Sequence, residues 1–425
     1  MVDVAKVKMF GMNVGTVRWD SSYEVARFEY DAQFAGKGIE PSPLMMPVQQ
    51  GRIYSFGNLN RETFNGLPGM LADSLPDTYG RALFDKWLTL TGRTVGNPIE
   101  TLCFLGQRCM GALEFEPATG PASADMKIEI DSLVEVAKEA LSKKEEFGAN
   151  LDIDRKAAIA EILRLGTSAG GQRAKAIIAY NKDTGEVRSG QVPAPEGFDY
   201  YLIKLDGVSA EAGFKETENF GRLEYSFSLL AKECGIEMTD CSLIEENGRA
   251  HFLTKRFDRA NGEKIHMQTL CGMAHYDFHL RRAYSYEQAF NVMRRLRLPY
   301  SQAEEMFLRM VFNVVIRNQD DHTKNISFLM DKTGKWTLSP AYDIGFAYNP
   351  KGSWTDTHQM SINGKFDDIT RRDLLVCAAA NNIKNAAEII DKVCETTAKW
   401  PEMAKNCGVP QEMIDARLPY MLLNV

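Results

Sequence analysis

A change in the apolar period along the chain constrains its fold more than any other feature. Strands are read at Ala174–Tyr180, Tyr200–Leu205, Ser242–Glu246 and His251–Phe257, where apolar residues come in short runs. Asn247-Gly248 between the last two runs marks a hairpin turn, because both residues tolerate a positive φ. Beyond residue 284 the period lengthens, and helices are read at Tyr286–Leu296, Gln302–Asn318, Arg371–Ala380, Ala386–Ala398 and Gln411–Leu418. One helix interrupts the strands, with Phe220, Leu223, Phe227, Leu230 and Cys234 on a single stripe. A strand-rich lobe therefore precedes a helix-rich lobe, and the class is α+β.

Ahead of them, residues 5–118 read as a mixed α/β unit. Val7–Phe10 and Tyr23–Tyr30 are strand-like, Tyr79–Leu90 is helical, and Gly111–Pro117 is a strand stopped by proline. Residues 118–128 are small and polar, as in a linker, and 129–165 read as two helices with charged faces. The expected division is 1–118, 119–258 and 259–425.

The chemistry centres on Arg317-Asn-Gln-Asp-Asp-His-Thr-Lys-Asn325. Ile326–Met330 and Lys335–Leu338 flank the turn Asp331-Lys-Thr-Gly334, which is a hairpin pattern, and Asp343 follows it. A hairpin brings its ends together, so Asn325 and Asp343 should converge. An amide and a carboxylate on one cation, beside a second acid at Asp320, is the arrangement that phosphoryl transfer from ATP requires. Asp320 would receive the substrate hydroxyl proton, and Asn325 and Asp343 would hold Mg2+, a hard ion that keeps most of its waters. The other reading is an ordinary polar loop with these residues as turn and cap groups.

Two further segments fit phosphate. Lys204 stands in the apolar run Tyr200–Leu205, where an ammonium group is costly unless paired, and Glu224 on the 218–234 helix is its candidate partner. A solvent-facing lysine on an alternating strand is the alternative. Gly166–Lys175 is rich in glycine, and successive backbone N–H groups of such a loop bind anionic oxygens. It matches neither common glycine-rich nucleotide pattern, and a flexible turn is its plainer reading. Thr254–Phe257 ends the last strand, where a hinge would offer backbone groups to adenine.

Bulk properties narrow the classes. A formal charge of -7 and a pI near 5.6 argue against a surface that binds nucleic acid throughout. Arg281-Arg282 and Arg294–Arg297 read as solvated helix faces. The eight cysteines show no Cys-x-x-Cys and no paired metal-finger spacing, so zinc has little support. The N-terminus carries early charges without an apolar run, and no stretch approaches a membrane span, so no membrane association and a cytoplasmic location are expected.

Taken together, these segments resemble the HipA family of bacterial serine/threonine kinases, toxin halves of toxin–antitoxin pairs. The resemblance is carried by Gly66–Asp77, Met110–Pro117, Gly166–Gly171, Ile203-Lys204, Lys255–Arg259, Asp320–Asn325, Pro340–Asp343 and Met360–Lys365. It implies a two-lobed protein-kinase-like fold with an N-terminal mixed α/β subdomain and an all-α C-terminal lobe. It also implies ATP and Mg2+ as cofactors, with Asp320 as catalytic base and Asn325 and Asp343 on the metal. Ala169, Gly170, Gly171, Gln172 and Lys175 would belong to the phosphate loop. Lys204, Lys255, Phe257, His322, Lys324 and Tyr342 would complete the nucleotide site, and Thr167 or Ser168 would be autophosphorylated. The implied partners are a helix-turn-helix antitoxin, through which DNA is mainly contacted, and a protein substrate such as an aminoacyl-tRNA synthetase. A small-molecule phosphotransferase and a catalytically silent nucleotide-binding partner of a DNA-bound regulator are the alternatives.

Overall fold

A computed structural model describes residues 2–76, 96–120, 127–141, 173–209 and 218–425, with single positions between 80 and 92. The chain divides into two compact units. The first comprises residues 1–39, 48–221 and 240–266, and the second 40–47, 222–239 and 267–425.

The first unit holds two five-stranded sheets. One is built from β1 (Val4–Met9), β2 (Met12–Asp20), β3 (Val25–Tyr30), β4 (Ile53–Tyr54) and β5 (Glu114–Glu116), in the order β4-β3-β2-β1-β5. The expected strands near residues 7 and 25 are present, and β2 joins them through antiparallel pairing on both edges. Gly15 in β2 lies against the ring of Phe28, and a Cβ there would come within 2.7 Å of it, so the strand needs glycine at this crossing.

The second sheet contains β6 (Arg173–Tyr180), β7 (Val187–Ser189), β8 (Asp199–Ser209), β9 (Cys241–Glu246) and β10 (Arg249–Lys255), ordered β7-β6-β8-β10-β9. The β9–β10 hairpin turns at Asn247 and Gly248, with φ of 48° and 80°, as the dipeptide requires. The Ile130–Leu141 helix covers one face of this sheet, where Leu133 and Val134 pack with Ile178, Tyr201 and Leu253. The remainder of the 129–165 helical reading, residues 166–172 of the 166–175 loop with Thr167, Ser168, Ala169, Gly170, Gly171 and Gln172, and parts of the 79–90 helix and the 118–128 linker lie outside the described residues, while Arg173–Lys175, expected in that loop, begin β6.

The second unit is mainly helical. Helices at Tyr286–Arg295, Tyr300–Val315, Arg371–Ala380, Ala386–Thr397 and Gln411–Asp415 fall where their apolar stripes placed them. The Trp400–Asn406 helix adds to these. The Ser327–Met330 and Trp336–Leu338 strands pair as the expected hairpin, and His266–Thr269 adds a third strand beside Ser327–Met330. The core of this unit includes Trp400, which is fully buried, stacks on Phe227 at 4.8 Å, and donates its indole N–H to Ser226 Oγ at 3.1 Å.

Candidate active site

The hairpin at 327–338 positions the chemistry of the second unit. Its tip is an aspartate-centred turn: Asp331 Oδ1 accepts from Thr333 N at 2.8 Å and Lys335 N at 3.1 Å, and Gly334 takes φ of 86°. At its base, Tyr342 locks the two sides. The Tyr342 hydroxyl donates to Lys324 O at 2.6 Å and meets Ser327 Oγ at 2.5 Å. Tyr342, expected at the nucleotide, thus ties the residue preceding Asp343 to the Lys324–Ser327 end of the loop.

The consequence is the predicted convergence. Asn325, Asp343, His322 and Tyr342 line one small cavity of about 20 Å³, roughly the room of a single water. Asn325 directs Nδ2 to Asp320 O at 2.8 Å, which leaves its Oδ1 as the group able to meet a cation. One carboxylate and one amide oxygen form too small a set to cage a metal. They suit a hard cation that completes its shell with water and substrate phosphate. Among the described residues no group of three or more His, Cys, Asp or Glu side chains could hold a metal.

The backbone is bent into unusual conformations on both sides of this loop. Arg317 has φ of 58° and Asp343 φ of 50°, each left-handed for a residue that carries a side chain. Such conformations cost on the order of 1–3 kcal/mol and persist where surrounding bonds enforce them. Gln319 N donates to Ala347 O and Ala347 N to Arg317 O, both at 3.1 Å, so the loop and the segment after Asp343 are stitched together.

Asp320 keeps 42% of its side-chain surface open. Burial by the surrounding loop pushes its carboxyl up from the ordinary value, and Asp343 and Asp321 push the same way. His322 and the indole of Trp354 oppose the shift, and the remaining exposure to water limits it. Trp354 Nε1 donates to Asp320 Oδ1 at 2.6 Å. The neighbouring Asp321 is saturated instead: its Oδ2 accepts from Tyr286 Oη at 2.9 Å and His358 Nδ1 at 2.8 Å, and its Oδ1 from Gln359 N at 2.8 Å. Tyr286 is pushed well above its ordinary value by burial and by Asp321, so it stays a hydroxyl donor.

Lys324 lies over the Phe278 ring at 4.6 Å, and Phe278 reaches the His322 ring at 5.3 Å. Arg281 and Arg282 correct an expectation. They occupy a turn rather than a solvated helix face, and both guanidinium groups close on Asp356.

In the first unit, Lys175 and Lys204 stand directly opposite across β6 and β8, which puts both side chains on one face. Lys175 is 1% exposed, and Lys204 lies 5.9 Å from the Phe252 ring centroid. Lys255 pairs with Asp199 at 2.7 Å, and Phe257 follows in the segment after β10. Glu224, in the second unit, is half-buried on the Phe220–Cys234 helix. Within the first unit the Asp206 carboxylate accepts from Asn219 N at 2.9 Å and Phe220 N at 3.0 Å.

Comparison with known proteins gives the family of the chain. The model of the HipA-like C-terminal domain matches residues 167–400, and that of the HipA N-terminal domain matches residues 5–116. The chain belongs to the HipA family. A solved complex of HipA, HipB and operator DNA from Shewanella oneidensis shares the fold over 98% of this chain and 94% of that one, with a TM-score of 0.68 and 16% identity. Two proteins named "Putative kinase", Y4mE of Sinorhizobium fredii and one of Haemophilus influenzae, are each 27% identical over 125 and 139 residues. Those matches cover 27% and 28% of this chain, and 30% and 39% of the two relatives, so the chain spans well under half the length of either.

The HipA-type fold agrees with the two-lobed reading of the sequence. Trp354, the Asp321–Tyr286–His358 group and Asp206 were not singled out in it. For Trp354 the available signal was a lone aromatic in the polar stretch Lys351–Thr357 shortly after Asp343. Among the described residues no helix is long and apolar enough to cross a membrane.

Proposed function

We propose that the chain is a Mg-ATP-dependent serine/threonine protein kinase of HipA type. The observation that carries this reading is the hairpin, which brings Asn325 and Asp343 to one cavity in the unit that presents the half-exposed carboxylate of Asp320. Asp320 accepts the proton of the substrate hydroxyl as that oxygen bonds to the γ-phosphorus and the bond to the leaving nucleoside diphosphate breaks. Asn325 and Asp343 hold Mg2+, which when bound neutralises charge on the phosphate oxygens. Lys204 and Lys175 meet the phosphates, Phe257 offers its backbone to adenine, and the loop bearing Ala169–Gln172 covers the nucleotide. His322 and Lys324 line the site. In this scheme 1–118 is the HipA-type subdomain, 119–258 the strand-rich lobe and 259–425 the catalytic lobe. A HipB-like helix-turn-helix antitoxin is the proposed partner, with DNA contacted mainly through it, and a protein such as an aminoacyl-tRNA synthetase is the proposed substrate.

Transfer of labelled γ-phosphate by the purified chain tests this, run beside Asp320→Asn. The expected result is labelled protein, with self-labelling mapped to Thr167 or Ser168, and a loss of about 10²–10⁴-fold in the variant. Label appearing only on a small molecule would replace the protein substrate with a metabolite. Transfer that survives Asp320→Asn at full rate would remove Asp320 as the base.

A further inference from the structure

The Asp320 carboxylate is held on one side only. Trp354 Nε1 donates to Oδ1 at 2.6 Å, and His322 Nε2 stands 3.7 Å from the same oxygen. No described residue donates a hydrogen bond to Oδ2. An indole N–H can donate but not accept, so it orients a carboxylate without competing for the proton that the carboxylate receives. The carboxyl torsion of an aspartate is otherwise broad, and fixing one oxygen fixes the direction of the other.

The segment that delivers the indole is tied down rather than loose. Gln359 Nε2 bonds the Trp354 carbonyl, and Gln359 N and His358 Nδ1 both end on Asp321, at 2.8 Å each. Arg281 and Arg282 hold Asp356, and Asn349 N donates to Thr355 O at 3.1 Å. The catalytic loop therefore grips through Asp321 the same segment whose indole grips Asp320.

We propose that Trp354 is a positioning residue for phosphoryl transfer: its N–H holds Asp320 Oδ1 and presents Oδ2 to the substrate hydroxyl. This rests on the reading of Asp320 as proton acceptor. In the transfer step the hydroxyl proton goes to Oδ2 while the new P–O bond forms and the bond to the nucleoside diphosphate breaks. A merely structural indole would alter stability and leave the step untouched. A blocking indole would slow it.

Two measurements on the full chain decide the matter. The first needs no turnover. With 15N-labelled tryptophan, the Trp354 indole signal is the one missing in Trp354→Phe. It is expected downfield, as for an N–H bonded to a carboxylate, and should move upfield in Asp320→Ala. A signal that does not respond to Asp320→Ala overturns the pairing, and where Trp354→Phe folds poorly the signal missing in Trp354→His serves for the assignment. The second is kinetic. Trp354→Phe keeps a ring without the donor and is expected to lower kcat by about 10- to 100-fold with KM for ATP unchanged, the scale of a misplaced catalytic group. Trp354→His, which retains a ring N–H, should recover part of the loss. An unchanged kcat overturns the positioning role, and a raised kcat overturns it in favour of an inhibitory contact. If the wild type transfers phosphate to nothing, the kinase reading fails and the positioning role falls with it. An indole signal that still answers to Asp320→Ala would mark that failure as separate from a failed contact.

Discussion

Replacing Asp258 with alanine should strip the balancing charge from two crowded guanidinium groups. Asp258 is fully buried, and its Oδ1 accepts from Arg256 Nε at 2.8 Å. Its Oδ2 accepts from Arg256 Nη2 at 2.7 Å, Arg259 Nη1 at 2.8 Å and Gly111 N at 2.7 Å. The Arg256 side chain retains 2% exposure and that of Arg259 10%, so neither can recover its solvation by a small shift. Removing one partner of such a pair costs about 3–5 kcal/mol, because the surviving charge is left uncompensated. Arg259 keeps its bonds to the carbonyls of Gly111 and Cys109, which limits the loss. A cost of about 4 kcal/mol follows, and with a urea dependence of about 2–3 kcal/mol per molar the midpoint falls by about 1–2 M. Circular dichroism in urea reads this directly, on the transition of the first unit.

The same group carries a pH signature. Burial pushes the Asp258 carboxyl up, but Arg256, Arg259 and the Gly111 N–H outweigh it and hold it well below the usual carboxylate range. A depressed value in the folded chain means stabilisation that is complete above the unfolded value near ~4 and is lost as pH falls toward the folded one. Wild type and Asp258→Asn should therefore differ by a constant gap above about pH 5, and the gap should narrow in acid. A cost below about 1 kcal/mol for Asp258→Ala, or a gap that stays constant from about pH 5 to pH 3, would refute the reasoning.

Two other substitutions read different parts of the fold. Trp400→Ala removes a fully buried ring stacked on Phe227 and should cost about 3–5 kcal/mol in thermal or urea unfolding. Asp206→Ala removes the acceptor of Asn219 N, Phe220 N and Gly221 N at the start of the Phe220–Cys234 helix. A loss of about 1–2 kcal/mol there should speed amide exchange at these positions by about 5- to 30-fold, while unaltered exchange would show that the helix start is held otherwise.

Much of the frame was legible because local chemistry and global packing agree in it. The Asn247-Gly248 turn states its own geometry, and the stripe from Phe220 to Cys234 states its buried face. The convergence of Asn325 and Asp343 followed from a hairpin whose turn residues were unambiguous. What escaped depended on partners far away in sequence, or on residues that usually break elements. Trp354 bonds an aspartate 34 positions earlier, and Gly111 meets Asp258 across 147. Neither pairing leaves a period or a spacing to read. The Trp400–Asn406 helix carries Pro401 in its first turn, where a missing N–H costs nothing, yet proline reads as an interruption. In β2, Gly15 hid a strand, because its role is to admit the Phe28 ring.

The Asp320-Asp321 pair shows where sequence reasoning needs structure to choose between chemically identical groups. Both are carboxylates in one turn of polar residues, and spacing to Asn325 is the only sequence ground for preferring the first. Their surroundings separate them. Asp321 is 3% exposed and carries three donors, so a proton arriving there would have to displace a hydroxyl, an imidazole or a backbone N–H. Asp320 carries one strong donor on Oδ1 and leaves 42% of its side chain open. In the proposed reaction the proton acceptor must be open to the substrate, and of the two only Asp320 has a part-exposed side chain and an oxygen without a donor. The saturated neighbour has a different use. It ties the catalytic loop, through Tyr286, to the Tyr286–Arg295 helix and, through His358 and Gln359, to the segment that delivers Trp354. In the proposed scheme adjacent aspartates thus divide the work: Asp320 stays open for the proton, and Asp321 is closed off to hold the segment that carries Trp354.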